Sequence, residues 1–397
     1  MSEVGLGGVT PAGSRQLGRR SSVCFAGETV VVGCADGSVR AFDSSLDELW
    51  RDDDLAGSVV ALTDFAGGVL AGERGANGTL TYYVDGAVRW RYRTAADLGA
   101  PQQDTRFFLP FVADAAATGD RVYVASRRYE RGDDGNRTFV SVVYAFDDAG
   151  DVQWRHRTDA SPISLAVDDG RVAVAYNRCP GTHRDGLAVL DAETGEVSRR
   201  WDPPGDGQRR VGDVAFLDGR LAVASHADYR GYVLGGDGVE WSVDLARPVE
   251  RGDERVYAYP NHVRATADGV VFVTGNTFPE DGRETDRRHP NEHTAVGFDA
   301  DGNRRWRSSV GGFAHAVAAD GHRVVVPAAQ HFRDRDPGRH GFDVYGVQSG
   351  PESSERTPGV VTAVAVDANR IAAVEEPVAY HDGDVEHGAY RLRLAET

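Results

Sequence analysis

The chain has 397 residues and a formal net charge of -17, and all 44 of its basic residues are Arg. Nucleic-acid binding is disfavoured, because a phosphate backbone requires a continuous basic stripe and these Arg residues are scattered among 61 carboxylates. A Lys-free, acidic composition is typical of proteins from high-salt, GC-rich organisms, in which concentrated salt screens the repulsion between carboxylates. The acidity therefore gives no information about a binding partner.

The N-terminal region contains two features that resemble export signals. Arg19 and Arg20 form a twin arginine, and "VVGC" ending at Cys34 imitates a lipoprotein cleavage site. We instead predict that "VCFAG" and "TVVVGCA" are two core strands, with Cys24 and Cys34 out of register for a disulfide. These two thiols and that of Cys179 are then reduced, and no run approaches the ~18 apolar residues of a membrane span. The predicted location is cytoplasmic, with an exported lipoprotein as the alternative.

One sequence motif, which encodes four strands, is repeated along the whole chain. Residues 161–201 are its clearest copy, and Asp-Gly turns recur before Val-rich strands at 218–219, 268–269 and 320–321. First strands begin near Ser22, Ser58, Phe107, Pro162, Val211, His262, Phe313 and Val361. The fourth strands of the first six units contain Trp50, Trp90, Trp154, Trp201, Trp241 and Trp306. This period predicts a single all-β domain over residues 1–397, an eight-bladed β-propeller of four-stranded antiparallel blades, with seven blades as the alternative.

The last unit lacks its outer strand. Only "VVTAVAVD", "RIAAVEE" and "AYRLRLAE" are found before the sequence stops at Thr397. An open blade would expose a strand edge, and ring closure removes such edges. We therefore predict that the N-terminal segment, within residues 2–20, supplies the missing strand and closes the ring.

The repeated motif resembles the sequence repeat of a known family. "AVLDAETGEVSRRW" (188–201), "AFDDAGDVQWR" (145–155), "GFDADGNRRWR" (297–307) and "AFDSSLDELWR" (41–51) are similar to the PQQ-like β-propeller repeat of the quinoprotein alcohol dehydrogenase-like family. The resemblance implies an eight-bladed fold. Some members are dehydrogenases that use pyrroloquinoline quinone (PQQ) with calcium, and others, including an outer-membrane assembly lipoprotein, bind no quinone. The dehydrogenases carry adjacent cysteines, which this chain lacks, so we predict no cofactor; PQQ with calcium belongs to the alternative hypothesis only.

Long loops between second and third strands predict a binding face on one side of the ring. The candidate residues on this face are Arg128, Arg131, His289, His293, His331, His340, His381 and His387. His289 and His293 are four residues apart, but Pro290 disfavours the helix that would place them on one side. We predict no metal site and no catalytic residue.

A second candidate site is the central channel. His262, His315, Asp213 and Ser164 fall near the starts of inner strands, which converge on the ring axis. A polar channel could take a small ligand. The sequence thus predicts a non-catalytic scaffold that presents its loop-rich face to a protein partner or small ligand. The alternatives are a PQQ-dependent dehydrogenase and an exported cell-surface propeller.

Overall fold

The structure is a computed structural model that describes residues 1–13, 18–132, 135–168, 170–282, 284–331, 333–380 and 385–396. Its regular structure is almost entirely antiparallel β-sheet, with one short helix, α1 (Ala95–Leu98), and one 3₁₀ turn (Pro337–Arg339). Strand β1 (Ser2–Gly5) comes first. The following strands form four-stranded blades, which are numbered here in chain order.

The bounds of the strands in blades 1 to 4 are as follows: blade 1, β2 (Ser22–Ala26), β3 (Thr29–Gly33), β4 (Val39–Phe42) and β5 (Glu48–Asp52); blade 2, β6 (Ser58–Phe65), β7 (Gly68–Arg74), β8 (Thr79–Val84) and β9 (Ala87–Arg93); blade 3, β10 (Phe111–Thr118), β11 (Arg121–Arg131), β12 (Arg137–Asp147) and β13 (Val152–Thr158); blade 4, β14 (Ser161–Asp168), β15 (Arg171–Arg178), β16 (Leu187–Asp191) and β17 (Val197–Trp201).

The bounds in blades 5 to 8 are as follows: blade 5, β18 (Val211–Leu217), β19 (Arg220–Ser225), β20 (Arg230–Gly235) and β21 (Gly238–Asp244); blade 6, the added strand β22 (Val249–Arg251), then β23 (Glu254–Thr266), β24 (Gly269–Pro279), β25 (Thr294–Phe298) and β26 (Arg304–Ser309); blade 7, β27 (Ala318–Ala319), β28 (Arg323–Ala328), β29 (Gly341–Gly346) and β30 (Gly350–Arg356); blade 8, β31 (Val360–Asp367), β32 (Arg370–Glu376), the small hairpin β33 (Val378–Ala379) and β34 (Glu386–His387), and β35 (Arg391–Glu396).

The blades are arranged as a closed ring. The first strand of each blade packs on the first strand of the next, and β31 of blade 8 packs on β2 of blade 1. Strand β1 pairs with β35, with Ser2 opposite Leu394, and becomes the outer strand of blade 8. The predicted all-β propeller and its closure by the N-terminal segment are confirmed.

Three predicted strand starts are wrong. The first strand of blade 3 begins at Phe111 and not near Phe107, because helix α1 and a series of turns occupy the preceding connection. In blade 7 it begins at Ala318, since the residues after Phe313 form bends, and in blade 6 it begins at Glu254, well before His262. Each error falls where the connection between two blades departs from the repeat.

The Asp and Trp of the repeated motif have separate structural roles. Asp147 Oδ1 accepts a hydrogen bond from the backbone N–H of Asp151 at 2.8 Å, which supports the turn between β12 and β13. The Trp154 indole crosses to blade 4, where its N–H donates to Ala192 O at 3.0 Å and its ring covers Gly195. That glycine has φ +72°, and a Cβ there would lie 2.6 Å from the indole. Each Trp of this kind therefore joins its blade to the next one.

Replacement of Trp154 by Ala is expected to destabilise the fold by about 3–5 kcal/mol, because a large buried ring is lost and a cavity remains between two blades. Trp154→Phe keeps an aromatic ring but loses the indole N–H donor, and should lower the free energy of unfolding by about 1–2 kcal/mol. Urea denaturation of both variants measures this. Equal stability of Trp154→Ala and the original chain would contradict the inter-blade role.

The residues that resemble export signals lie inside the fold. Arg20 pairs with Glu376 of blade 8 at 2.5 Å, and Arg19 donates to Ala113 O at 3.0 Å. Cys24 lies opposite Val31 in the β2–β3 pair, so the predicted lack of register with Cys34 is correct. All three thiols are free. Within the described residues, no helix is both long enough and apolar enough to cross a membrane.

Candidate functional site

The face formed by the second-to-third-strand loops is extended by long hairpins. In blade 3, β11 and β12 continue to the pair Arg131 and Arg137, and in blade 6, β23 and β24 continue to the pair Val256 and Pro279. Long strands hold their tips in position through backbone hydrogen bonds. This face therefore has rigid projections as well as loops.

The predicted histidines of blade 6 lie in the interior of their loop. His289 donates from Nε2 to Arg247 O at 3.1 Å, and its Nδ1 accepts from the backbone N–H of Asn291 at 3.1 Å. Burial lowers the pKa of His289, so the neutral ring is favoured. Both ring nitrogens are used within the protein, and His289 acts as a loop-ordering residue.

Three side chains meet between blades 6 and 7. The potential ligand atoms of Glu292, His293 and His331 lie within 4.8 Å of one another, and the two rings are 4.5 Å apart. Within the described part of the chain, His293 Nδ1 and Glu292 Oε1 have no hydrogen-bond partner. Burial, followed by the nearby His331, lowers the pKa of His293 to about 3. The sequence did not predict this juxtaposition, because His331 belongs to another blade.

Other contacts of this cluster favour an internal ion pair. Arg333 binds the second carboxylate oxygen of Glu292. The backbone N–H groups of Arg333 and Asp334 donate to His331 Nδ1 at 3.4 and 3.2 Å. A neutral His331 with an accepting Nδ1 carries its proton on Nε2, which then offers no lone pair to a cation. The cluster connects two loops.

The remaining predicted histidines belong to blades 7 and 8. His340 is buried, its Nδ1 lies 3.0 Å from Pro358 O, and its Nε2 lies 2.5 Å from the Tyr380 hydroxyl. His387 lies in β34 with its ring 6.5 Å from that of Tyr380. His381 lies outside the described residues. His340 thus joins blades 7 and 8, and of the predicted histidines that the structure describes, His293 and His331 meet while His289 and His340 have other partners.

The four predicted channel residues do come together. Ser164, Asp213, His262 and His315 all line one cavity of about 300 Å³ at the centre of the ring. Asp213 Oδ2 accepts from Arg264 Nη1 at 2.8 Å, and Oδ1 accepts from Ser164 Oγ at 2.5 Å. Burial alone would raise the pKa of Asp213, but Arg264 and His262 outweigh it and hold the pKa well below its ordinary value. Asp213 is therefore an ionised carboxylate that connects neighbouring blades.

Alternation along β11 separates the two predicted arginines. Arg128 is buried, donates from Nε to Leu98 O at 2.7 Å and pairs with Glu130. Arg131 points to the opposite side, as β-strand geometry requires for residues an odd number of positions apart, and lines a large cleft. Arg128 anchors helix α1, and Arg131 lines the cleft.

The cleft has a volume of about 630 Å³ and lies where blades 2, 3 and 4 meet. Aromatic side chains form much of one wall. Its guanidinium groups come from Arg74, Arg106, Arg127, Arg131, Arg137 and Arg178, and no carboxylate is among the described residues that line it. In a chain with 61 acidic residues, this concentration of one sign of charge is unusual.

Inside the cleft, aromatic rings contact guanidinium groups. The Arg74 guanidinium lies 4.0 Å from the Phe111 ring centre, and that of Arg127 lies 5.2 Å from the same ring. Such cation–π contacts contribute about 0.5–2 kcal/mol each. A fully hydrogen-bonded ion pair would offset more of the free-energy cost of removing the charge from water. The sequence signal was the alternation of Arg127, Tyr129 and Arg131 along one strand, opposite Arg137 and Phe139.

Comparison with known proteins identifies the family. The family model described as "Outer membrane protein assembly factor BamB" matches residues 35–283 of the chain. The chain belongs to this BamB family. The resemblance to a PQQ-like repeat is thereby confirmed. No curated protein has a matching sequence.

Solved structures show the same propeller fold. BamB from Moraxella catarrhalis superposes with a TM-score of 0.59 at 17% identity, with 95% of this chain and 96% of that chain covered. Sqt1 from Chaetomium thermophilum, bound to the N-terminus of ribosomal protein L10, gives 0.61 at 12% identity, covering 96% and 98%. The computationally designed Ika8 protein gives 0.54 at 16% identity, covering 96% and 99%. At these identities the similarity establishes the fold alone.

Proposed function

We propose that this BamB-family propeller is a non-catalytic scaffold that binds a protein partner at its loop-rich face. The observation that supports the proposal is the composition of the cleft rim. Phe107 is 67% exposed and lines the cleft together with the exposed residues Arg131 and Arg137. Exposed aromatic and Arg side chains are enriched among the residues that dominate protein–protein binding energy.

Two further points support a binding role. In the central channel, Asp213 is paired with Arg264, which leaves a structural role for these two side chains. Among proteins of similar fold, Sqt1 was solved bound to a segment of L10. A rigid ring with a projecting face suits the same kind of task here, by analogy of fold.

The partner can be tested by placing a photo-crosslinking amino acid at Phe107. We expect discrete covalent adducts in cells that express the chain natively, because a partner on the rim would lie within reach of this side chain. Val239, 49% exposed on β21 of blade 5, is the matched control position. Adducts are identified by mass spectrometry.

Two results would contradict the proposal. One is the recovery of no discrete adduct at Phe107, and the other is the same adducts at Phe107 and Val239, which would indicate random collision.

A further inference from the structure

The innermost part of the cleft, called here the recess, contains Arg74, Phe111, Arg127 and Arg178. The guanidinium groups of Arg74 and Arg127 both lie over the Phe111 ring, 4.0 and 5.2 Å from its centre. The Nε atoms of Arg74 and Arg127 are buried and have no hydrogen-bond partner among the residues that the structure describes. Elsewhere in the described chain, buried guanidinium groups such as those of Arg210 and Arg393 are paired with carboxylates.

The electrostatics of the recess is unfavourable when it is empty. Burial, followed by the charge of neighbouring arginines, lowers the pKa of Arg74 to about 9 and that of Arg127 to about 10. The same causes lower the pKa of Arg178 to about 10. Desolvated like charges without a counter-ion cost stability. None of the described carboxylates forms an ion pair with these three guanidinium groups, and such a positively charged recess points to a ligand that neutralises it.

We propose that the recess is a binding site for an anionic group, a carboxylate or a phosphate, carried on a flat apolar body. Guanidinium forks match both anions bidentately. The apolar body would pack on Phe108, Tyr129 and Phe139, whose rings follow one another at 4.9 and 5.8 Å. A volume of about 630 Å³ lies in the range of small-molecule sites.

This inference deepens the proposed function, because the anion belongs either to a free small molecule or to the protein partner, in which an aromatic residue beside an acidic side chain would supply the apolar body. The chemistry of recognition is the same for both sources. The recess is formed by three blades, with Arg74 on β7, Arg127 on β11 and Arg178 on β15. It is therefore fixed by the ring and is independent of loop movement.

The test is titration calorimetry with two probes, benzene-1,3,5-tricarboxylate and inorganic phosphate, at an ionic strength held constant with chloride. We expect saturable binding of the tricarboxylate, weaker binding of phosphate, and a loss of about tenfold to a hundredfold in affinity for Arg127→Gln and for Arg178→Gln. Arg89→Gln is the control, since Arg89 is exposed on β9 and does not line the cleft.

Stability distinguishes a ligand site from a structural role. Without added anion, Arg127→Met should melt at or above the temperature of the original chain, because an uncompensated buried charge is removed. The proposal is overturned if neither probe binds above the chloride reference, if Arg127→Gln and Arg178→Gln bind as well as the original chain, or if Arg127→Met melts several degrees lower.

The source of the anion follows from the cross-linking experiment at Phe107. Suppression of the adduct by the tricarboxylate would assign the anion to the partner, and an adduct that persists while the probe binds would assign it to a free small molecule. Probe binding without any adduct at Phe107 would refute the proposed protein partner and leave the anion site standing.

Discussion

Deletion of residues 1–13 is expected to lower the melting temperature of this propeller by at least about 5 °C. The deletion removes β1, the outer strand of blade 8, together with Leu6, which is 3% exposed in the apolar cluster between blades 8 and 1. Burial of Leu6 contributes about 2 kcal/mol and each lost backbone hydrogen bond about 1 kcal/mol. The edge of β35 would also become free to pair with other chains.

A circular permutant provides the control for this prediction. Residues 1–13 are moved behind Thr397 through a short Gly-rich linker, so that the chain begins at Ser14. Strands β35 and β1 are antiparallel, with Leu394 opposite Ser2, so a tight hairpin can join them. We expect the permutant to recover most of the melting temperature. Thermal denaturation that is the same for the deletion and the full chain would contradict closure by β1.

The fold could be predicted because its determinants are local and repeated. Asp147 and Trp154 lie seven positions apart, and the turn bond of the former and the indole contact of the latter recur in other blades, as for Asp299 and Trp306. The three wrong strand starts lie in connections between blades, which the repeat does not constrain. Residues 94–110, for example, contain helix α1 and turns, whereas the repeat predicts a strand start near Phe107.

The site could be predicted only in part, because it depends on contacts between blades. The channel residues were identifiable from their position at the starts of inner strands, as the common cavity of Asp213 and His262 shows. The loop histidines were selected by residue type, and a sequence does not distinguish a possible ligand from a side chain such as His289 that orders its own loop. The recess was missed because Arg74 and Arg178 become neighbours only when the ring closes.

Replacement of Asp213 by Ala is expected to destabilise the ring by about 3–5 kcal/mol, because it breaks a buried ion pair and leaves the partner charge unpaired. Besides Arg264, the carboxylate accepts from the backbone N–H of Val263 at 3.0 Å and from Ser164. These partners lie in blades 6 and 4, on either side of blade 5. A single carboxylate thus holds three first strands together near the ring axis.

The matched variant is Asp213→Asn, which keeps the shape and loses the charge. Since the folded-state pKa of Asp213 is depressed, its stabilising effect is fully present above the unfolded pKa of about 3.9 and is lost as the pH falls through the folded pKa. Urea denaturation at pH 7 should therefore show a large difference between Asp213→Asn and the original chain. That difference should shrink only well below pH 4, and a difference that already disappears near pH 5 would show that the charge of Asp213 does not stabilise the ring.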